Sequence, residues 1–444
     1  MAEEDVLLKS EFVLHKLKRR RFPQQGCAPE LRTDPSVWAR LMFAIMLIFA
    51  LVLQPIASGS VASAQDVADG DLMLIKADLV YLGDDSQPGP AMVLVQAGKI
   101  KAIGAKIEVP EGTQTVEVAA LMPGMVDAVS NVGIVGGDAE VTNEVTPDFE
   151  TLASVDFEDI SFRKAADGGM TTLNIVPGTD NVVAGYAGVL KSAGKDREKR
   201  TVRLHSGMVL SMCSDPAARN NSRSRPDSIY VRQPTNRMGV VWILRSRFHA
   251  ARLWQQQPDR ASQYPVSDRL LAGLFKGDDV VMGVSRLAFD IHTLTEIANE
   301  FGFKPILIGG DEAYKTIDLL VEKKMSVVFT ALSTSERGAE GSELAWGTPA
   351  KLADAKIPFC LAGDNLLAQA RFGVRFGLTP NQALAAVTSS PAEILGLGDR
   401  LGSIKVGYDA DLVALSGDPL QFTSSIQWTM VDGKLLSNEE GNNE

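Results

Sequence analysis

Val129 and Asn131 stand two residues apart in the run PGMVDAVSNVG, Pro123–Gly133. The run alternates like a strand that ends in a turn, and side chains two apart on a strand point to the same face. Two histidines at this spacing could hold a divalent ion above the end of the strand. Valine has no donor atom, and an amide is a poor ligand for a transition metal. The two positions therefore share the face of a strand that could carry a metal site, but their side chains are not suited to bind the metal.

The apolar runs predict the elements that would position such a site. From Ala120 to about Gly398, strand-like runs alternate with amphipathic helical segments. This pattern is typical of an α/β protein with a (β/α)8 TIM-like barrel. A doubly wound sheet is the competing architecture, but it would more often show fewer strands and a glycine loop near its first strand. The strand candidates are MPGMVDAV, TTLNIVP, AGVLKS, VRLHSGMVL, DDVVMGV, KPILIGG, MSVVFTA and IPFCLAGD.

Shorter alternating runs precede and follow the predicted barrel, and each is bounded by Gly, Pro or Asp. They predict a small composite β-sandwich domain built from both chain ends. We place an N-terminal leader at 1–64, the two parts of the small β domain at 66–121 and 399–437, and the barrel at 122–398.

Three charged side chains lie at predicted strand ends. Lys191 lies in AGVLKS, Arg286 follows VVMGV, and Asp364 ends FCLAGD. Because barrel loops meet at one mouth, we expect these side chains to approach one another there. Two interpretations stay open: the cations bind an anionic ligand, or Asp364 and Arg286 form a structural ion pair.

The N-terminal segment has the pattern of an export signal. KLKRRR, Lys16–Arg21, precedes the apolar run Leu41–Leu53, and small residues at Ala62 and Ala64 follow. A positive region, an apolar stretch of about a dozen residues and an A-x-A site predict cleavage before Gln65. An uncleaved segment would serve as an anchor. We therefore expect a periplasmic or other extracytoplasmic protein, with membrane contact only through this segment.

Composition excludes several classes of protein. The 444 residues are 45% hydrophobic and carry a net charge of -11, which argues against a nucleic-acid-binding surface. Of the three cysteines, Cys27 lies in the leader, and Cys213 and Cys360 are far apart in sequence. No C-x-x-C pair and no disulfide framework can therefore be identified.

Several motifs in order carry a resemblance to a known family. PGMVDAVSNVG resembles the first barrel strand of the amidohydrolase superfamily, and GSIKVGYDADLVALSGDPL resembles the strand that completes its small β domain. The segments from Asp156 to Gly194 and from Phe376 to Ile404 are similar to the imidazolonepropionase-like branch. The resemblance implies a barrel with zinc or another divalent ion at its mouth. That ion activates a water molecule to attack an amide or related carbon–nitrogen bond.

Carried over residue by residue, the family's metal-binding histidines are substituted. The first pair falls on Val129 and Asn131, the strand-five ligand on Val284–Arg286, and the strand-six ligand on Gly309 and Gly310. Only the final aspartate matches, as Asp364, which the resemblance implies as the acceptor of the water's proton. Lys191 lies near the position of a ligand lysine. The histidines that the chain does contain are far apart along the sequence, whereas a zinc site needs at least three protein ligands. The four histidines of the chain are His15, His205, His249 and His292.

Three functions remain open. The favoured one is a catalytically degenerate subunit without a cofactor, which binds a small ligand through Asn131, Lys191, Arg286 and Glu312 or pairs as a homodimer or with an active homologue. The second is an active hydrolase of carbon–nitrogen bonds whose metal is held by oxygen ligands from Asn131, Asp311, Glu312 and Asp364. The third is a structural envelope scaffold. The arginine-rich segment Cys213–Gly239 is long for a βα loop, so it could cover the mouth or dock a partner.

Overall fold

The computed structural model of the chain describes residues 72–436, apart from 141, 221–232, 278, 331 and 333–345. The predicted leader, its apolar run Leu41–Leu53 and the cleavage site before Gln65 lie outside the described residues. No helix within the described ranges is long and apolar enough to cross a membrane.

Eight strands form a barrel-like sheet and neighbour one another in chain order. They are β5 (Met125–Ser130), β6 (Met170–Ile175), β7 (Val183–Lys191), β8 (Thr201–Ser211), β9 (Val281–Ser285), β10 (Pro305–Gly309), β11 (Val327–Phe329) and β12 (Phe359–Leu361). Seven run in one direction, whereas β7 is antiparallel to both of its neighbours. Every residue of β5, β7 and β9 is buried, as expected of strands covered on both faces. The predicted barrel-like α/β fold is confirmed.

The gap between β12 and β5 is bridged by a segment that is not a strand. The amide of Leu361 donates to the carbonyl of Ala386 at 2.8 Å, and the amide of Val126 donates to Val387 at 3.0 Å. The carboxylate of Asp127 accepts from the amide of Gly363, just past β12, at 2.8 Å. These bonds satisfy the polar groups of two facing strand edges, which would otherwise be buried without partners.

Amphipathic helices cover the outside of the barrel. In the longest, Arg237–Gln255, the buried residues Val240, Leu244, Phe248 and Ala251 recur at helical spacing. The helices are α1 (Ile160–Asp167), α2 (Arg197–Arg200), α3 (Asp215–Asn220), α4 (Arg237–Gln255), α5 (Val266–Leu274), α6 (Ala288–Phe301), α7 (Ile317–Lys323), α8 (Thr348–Asp354), α9 (Leu366–Arg375), α10 (Pro380–Ala385) and α11 (Ser389–Ile394), with 3-10 turns at Thr151–Ser154, Pro258–Gln263 and Ala313–Lys315. The Phe248 ring packs edge-on against three other phenylalanine rings, which fixes α4 onto its neighbours.

A second sheet joins the two ends of the described chain. Its strands are β1 (Met73–Val80), β2 (Gly89–Gln96), β3 (Lys99–Gly104), β4 (Gln114–Pro123), β13 (Leu412–Leu415), β14 (Ile426–Val431) and β15 (Lys434–Leu436). The order is β15-β14-β13-β4-β1-β2-β3, with β4 parallel to β1 and antiparallel to β13. The exact domain boundaries given above stay predictions.

Two local expectations from the sequence need correction. Helices do not separate all of the barrel strands, because β6 and β7 follow each other through a short turn and β7 and β8 form an antiparallel pair. The predicted loop Cys213–Gly239 begins with α3 and ends inside α4, and residues 221–232 lie outside the described residues.

Candidate ligand site at the barrel mouth

The carboxyl ends of seven parallel barrel strands meet at one end of the barrel, which we call the mouth. Four of the predicted site residues lie here, one after each of four strands: Asn131 follows β5, Arg286 follows β9, Glu312 lies just beyond β10, and Asp364 follows β12. Asn131 is exposed, Asp364 and Glu312 are half-buried, and Arg286 is buried. The sequence therefore located the loops that form the mouth.

Apolar side chains fill the barrel beneath the mouth. Val129 of β5 and Val284 of β9 belong to one buried cluster that includes residues from most barrel strands. Its strand members are Val126, Ala128, Val129, Ala184, Ala187, Val189, Val209, Met282, Val284, Ile308, Val328 and Cys360. Packed aliphatic groups at these two positions supply no metal-binding atom.

Arg286 pairs with Asp215, the first residue of α3, and not with Asp364. Its Nη1 atom lies 2.9 Å from Asp215 Oδ1 and 2.8 Å from Oδ2. The hydroxyl of Thr179 donates to the same carboxylate at 2.5 Å. Burial lowers the pKa of the arginine, but the neighbouring Cys213 and Asp215 outweigh it, and the pKa is raised overall. The mouth therefore holds a permanently charged guanidinium whose charge is balanced by Asp215.

The Cys213 thiol, close to this ion pair, is not an activated nucleophile. Burial raises its pKa to about 12, against the opposing effect of Arg286. Its sulfur lies 3.1 Å from the hydroxyl of Ser211. A buried thiol that stays protonated at neutral pH is inert towards acyl transfer.

Glu312 has a local structural role at the start of α6. Its carboxylate accepts from the amide of Ala288 at 2.9 Å and from the ammonium of Lys315 at 2.5 Å. The bond from the Ala288 amide, followed by that from Lys315, lowers the pKa of Glu312. The adjacent Asp311 is buried and raises the pKa of Arg286 electrostatically. Both carboxylates thus interact with neighbouring cations.

Asp364 lies in the turn between β12 and α9. Its side-chain Oδ2 accepts from Asn365 Nδ2 at 3.3 Å, and its main-chain carbonyl accepts from Gln369 Nε2 at 2.7 Å. The turn is tight because Gly363 and Asn365 both have left-handed backbone conformations, with φ of 93° and 52°. These contacts hold Asp364 at the rim of the mouth.

Lys191 lies at the opposite end of the barrel, so the expectation that it approaches Arg286 and Asp364 is wrong. It ends β7, and because β7 runs antiparallel its last residue pairs with Thr172 near the start of β6. The Lys191 ammonium is buried between three carboxylates of the C-terminal segment: it lies 2.9 Å from Asp409, 2.5 Å from Asp411 and 3.2 Å from Asp432.

The described histidines lie away from the mouth. His205 stacks on Tyr186 and contacts Glu150, and His249 of α4 contacts Glu300. His292 lies on the surface of α6. In residues 72–436, excluding the undescribed segments, no three His, Cys, Asp or Glu side chains form a group that could hold a metal ion. The donor set at the mouth does not fit the zinc ion that the resemblance implies.

Sequence reasoning missed two residues that organise the mouth. Asp215 lies three residues after the strand-like run VRLHSGMVLSM. The strand before it, β8, neighbours β9, so strand adjacency would have suggested its pairing with Arg286. Asp127 accepts from the amides of Val129 at 3.1 Å and Gly363 at 2.8 Å. An aspartate inside an apolar strand was the available signal for such a role.

The chain is similar to several known proteins. Residues 283–436 match the family described as "Amidohydrolase family". Amidohydrolase tasK of Hapsidospora irregularis is 26% identical over 392 residues, which cover 77% of this chain but only 39% of that relative. An imidazolonepropionase of Psychromonas ingrahamii is 43% identical over 67 residues, 13% of this chain and 17% of that protein.

The fold agrees with these relatives. A crystal structure of an amidohydrolase from Thermotoga maritima MSB8 superposes with a TM-score of 0.75 at 29% identity, covering 82% of this chain and 99% of that one. Both the barrel and the sheet built from the two ends of the described chain have the arrangement implied by the resemblance of the sequence motifs. This chain belongs to the amidohydrolase superfamily.

Proposed function

We propose that this protein is a catalytically degenerate member of the amidohydrolase superfamily, which acts as a ligand-binding or partner subunit and not as a metal-dependent hydrolase. The observation that carries the proposal is the buried ion pair of Arg286 and Asp215 at the mouth. A fixed guanidinium there repels a divalent cation, and the Val129 and Val284 side chains below it provide no ligands.

A rearranged metal site is the principal alternative. Asn131, Asp311, Glu312 and Asp364 carry the oxygen atoms that a harder ion would need. Two contacts oppose it: Glu312 is held by the Ala288 amide and Lys315, and Asp311 lies in the field of Arg286. Binding a metal would require breaking the first contact and placing two positive charges close together.

Export, the leader and the partner remain part of the same proposal. The basic and apolar pattern before Gln65 supports an extracytoplasmic location. The metal-binding positions at the mouth are substituted while the whole fold is kept. We infer that the protein pairs with a second copy of itself or with a homologue that still carries the metal-binding histidines. A structural envelope scaffold is the remaining alternative, and co-purification with such a homologue would argue against it.

The test is the metal content of the full chain, purified without chelators and incubated with zinc, manganese or iron. Elemental analysis should find less than about a tenth of an equivalent of each, because a functional site must hold its ion tightly. Near one equivalent, lost in Asp364→Ala but kept in the control Asp354→Ala, would overturn the proposal. Asp354 is an exposed residue at the end of α8, so its substitution leaves the mouth unchanged.

A further inference from the structure

A second concave site, which we call the basic cleft, lies beside Lys191 and therefore at the end of the barrel opposite the mouth. It has a volume of about 710 Å³, within the usual range for small-molecule sites. Three backbone segments form its walls: the turn between β2 and β3, the segment that follows β7, and the turn between β14 and β15.

Five cationic side chains line the basic cleft: Lys99, Lys195, Lys199, Arg400 and Lys434. Two carboxylates, Asp409 and Asp432, line it as well and oppose an anion. Lysine and arginine are the side chains that bind anionic groups, lysine as a mobile point charge and arginine through a planar fork of donors. The predominance of cations is local, because the whole chain has a net charge of -11.

The carboxylates near the cleft are already neutralised. Lys99 and Arg400 both contact Asp409, and Lys191 contacts Asp409, Asp411 and Asp432. Three cations thus balance three carboxylates.

Three lysines remain at the rim of the cleft. The Lys199 ammonium lies 3.5 Å from the Asp196 carboxylate, and both side chains are at least half exposed. Lys195 also interacts electrostatically with Asp196, so the two lysines share one carboxylate. Lys434 adds a third positive charge on β15. Set against the single charge of Asp196, these lysines leave an excess of two positive charges, which solvent screens only partly in a concave site.

The framework under these charges is rigid. Ala97 and Asp432 adopt left-handed backbone conformations, with φ of 49° and 47°, at two turns that touch. A Cβ atom on Gly433 would lie 2.8 Å from the Cα of Gly98, so the backbones meet without room for a side chain. Arg400 is held by bonds of 3.1 Å and 2.6 Å to Asp409 Oδ2. The cleft is therefore largely preformed, which lowers the entropic cost of binding.

We propose that the basic cleft is a binding site for a phosphate-bearing ligand. A phosphate monoester carries about -1.5 to -2 charges at neutral pH, which matches the local excess of two. Its oxygens can accept from Lys195 and Lys199 of the segment after β7, from Lys434 of β15, and from the remaining donors of Arg400. The phosphate could belong to a soluble molecule or to a lipid headgroup. This site is independent of the function proposed for the mouth.

The test is calorimetric titration of the full chain with inorganic phosphate and with pyrophosphate at low ionic strength. We expect saturable binding that weakens as salt is added. Lys195→Ala combined with Lys434→Ala should weaken it about tenfold or more, since two charge-assisted hydrogen bonds are removed. The control, Lys276→Ala with Lys304→Ala, removes the same charge from exposed positions outside the cleft and should bind like the parent.

Flotation with vesicles separates the two sources of phosphate. Binding to phosphatidic acid vesicles but not to phosphatidylcholine vesicles, lost in the Lys195/Lys434 variant, would assign a lipid headgroup; binding of the soluble probes alone would assign a free phosphate. The proposal is overturned if neither probe binds, if the cleft variant binds like the control, or if citrate binds as tightly as pyrophosphate. Equal unfolding temperatures of the two variants would exclude a folding defect as the cause.

Discussion

At the scale of single residues, two buried cations in the described part of the chain are each balanced by carboxylates. Arg286 is balanced by Asp215 at the mouth, and Lys191 by the C-terminal aspartates at the other end. Leaving a buried charge without its partner costs about 3–5 kcal/mol, so these pairs constrain the structure strongly even where they add little net stability.

Asp409 makes the ionic network around Lys191 sensitive to acid. Burial alone would raise its pKa, but Lys191, Lys99 and Arg400 lower it from 3.8 to about 2. The folded pKa is thus below that of the unfolded chain, so ionised Asp409 stabilises the fold above about pH 4, and this stability is lost as pH falls through about 2. The pKa of the neighbouring Asp411 is raised instead, because the effect of burial outweighs the attraction of Lys191.

We expect Asp409→Asn to lower the free energy of unfolding most at neutral pH. The free energies of unfolding of the variant and the parent should approach each other by on the order of 2 kcal/mol between pH 6 and pH 2, because the Asp409 carboxylate of the parent becomes protonated over that range. Urea unfolding at a series of pH values measures it, with Asp354→Asn as the control for removal of one exposed charge. A difference that stays constant with pH would contradict the assigned role of the three cations.

The residues of the mouth were predictable only in part. Each of these residues lies within a few positions of the end of an apolar run, so the loops that carry Asn131, Arg286, Glu312 and Asp364 could be identified from the sequence. The partner of Arg286 could not be chosen by that criterion, because several acidic residues follow strands. Choosing Asp215 required knowing that β8 and β9 are neighbours.

At the scale of elements, strand direction explains the error over Lys191. Hydrophobic runs predict that a strand exists, but a strand buried on both faces has the same pattern in either direction. The eight strands were therefore predicted correctly and β7 was given the wrong orientation. The short connections on both sides of β7, which exclude the crossover helix needed between parallel neighbours, were the available signal.

At the junction of β5 and β12, one side chain bonds across the two strand ends. Asp127 accepts from the amide of Val129 in its own strand and, across the junction, from the amide of Gly363. We expect Asp127→Ala to destabilise the fold by about 2–4 kcal/mol, because both amides lose a charged acceptor. Both amides donate to the same oxygen, Oδ1, so Asp127→Asn keeps an acceptor for both, loses only the charge, and should cost about half as much. Chemical denaturation of both variants tests this, and equal losses would mean that the acceptor is not the cause.

At the scale of the whole molecule, the two ends of the described chain form one structure. β13 pairs with β4, and the Lys191 network connects β7 of the barrel to residues that flank β13 and to the turn after β14. The family resemblance predicted the shared sheet from motifs at both ends. The network across the two sheets could not be predicted, because it depends on the reversed direction of β7.

This coupling predicts that a chain ending at Leu401 will not fold cooperatively. Truncation removes Leu412, Val413 and Leu415, which are fully buried and contribute roughly 5–9 kcal/mol together. It also removes Asp409, Asp411 and Asp432, the three partners of Lys191, and removing the partners of a buried charge costs up to about 3–5 kcal/mol. The sum is comparable to the whole stability of a typical domain, about 5–15 kcal/mol.

Near-ultraviolet circular dichroism and thermal unfolding of the truncated chain provide the measurement. We expect loss of the aromatic signal and of the cooperative transition, together with binding of a hydrophobic dye. Val406→Ala, in the same segment but 61% exposed, should unfold like the parent and serves as the control. A truncated chain that keeps a sharp transition would mean that the barrel and β1–β4 are stable alone, and the Lys191 network would then have no part in holding the two sheets together.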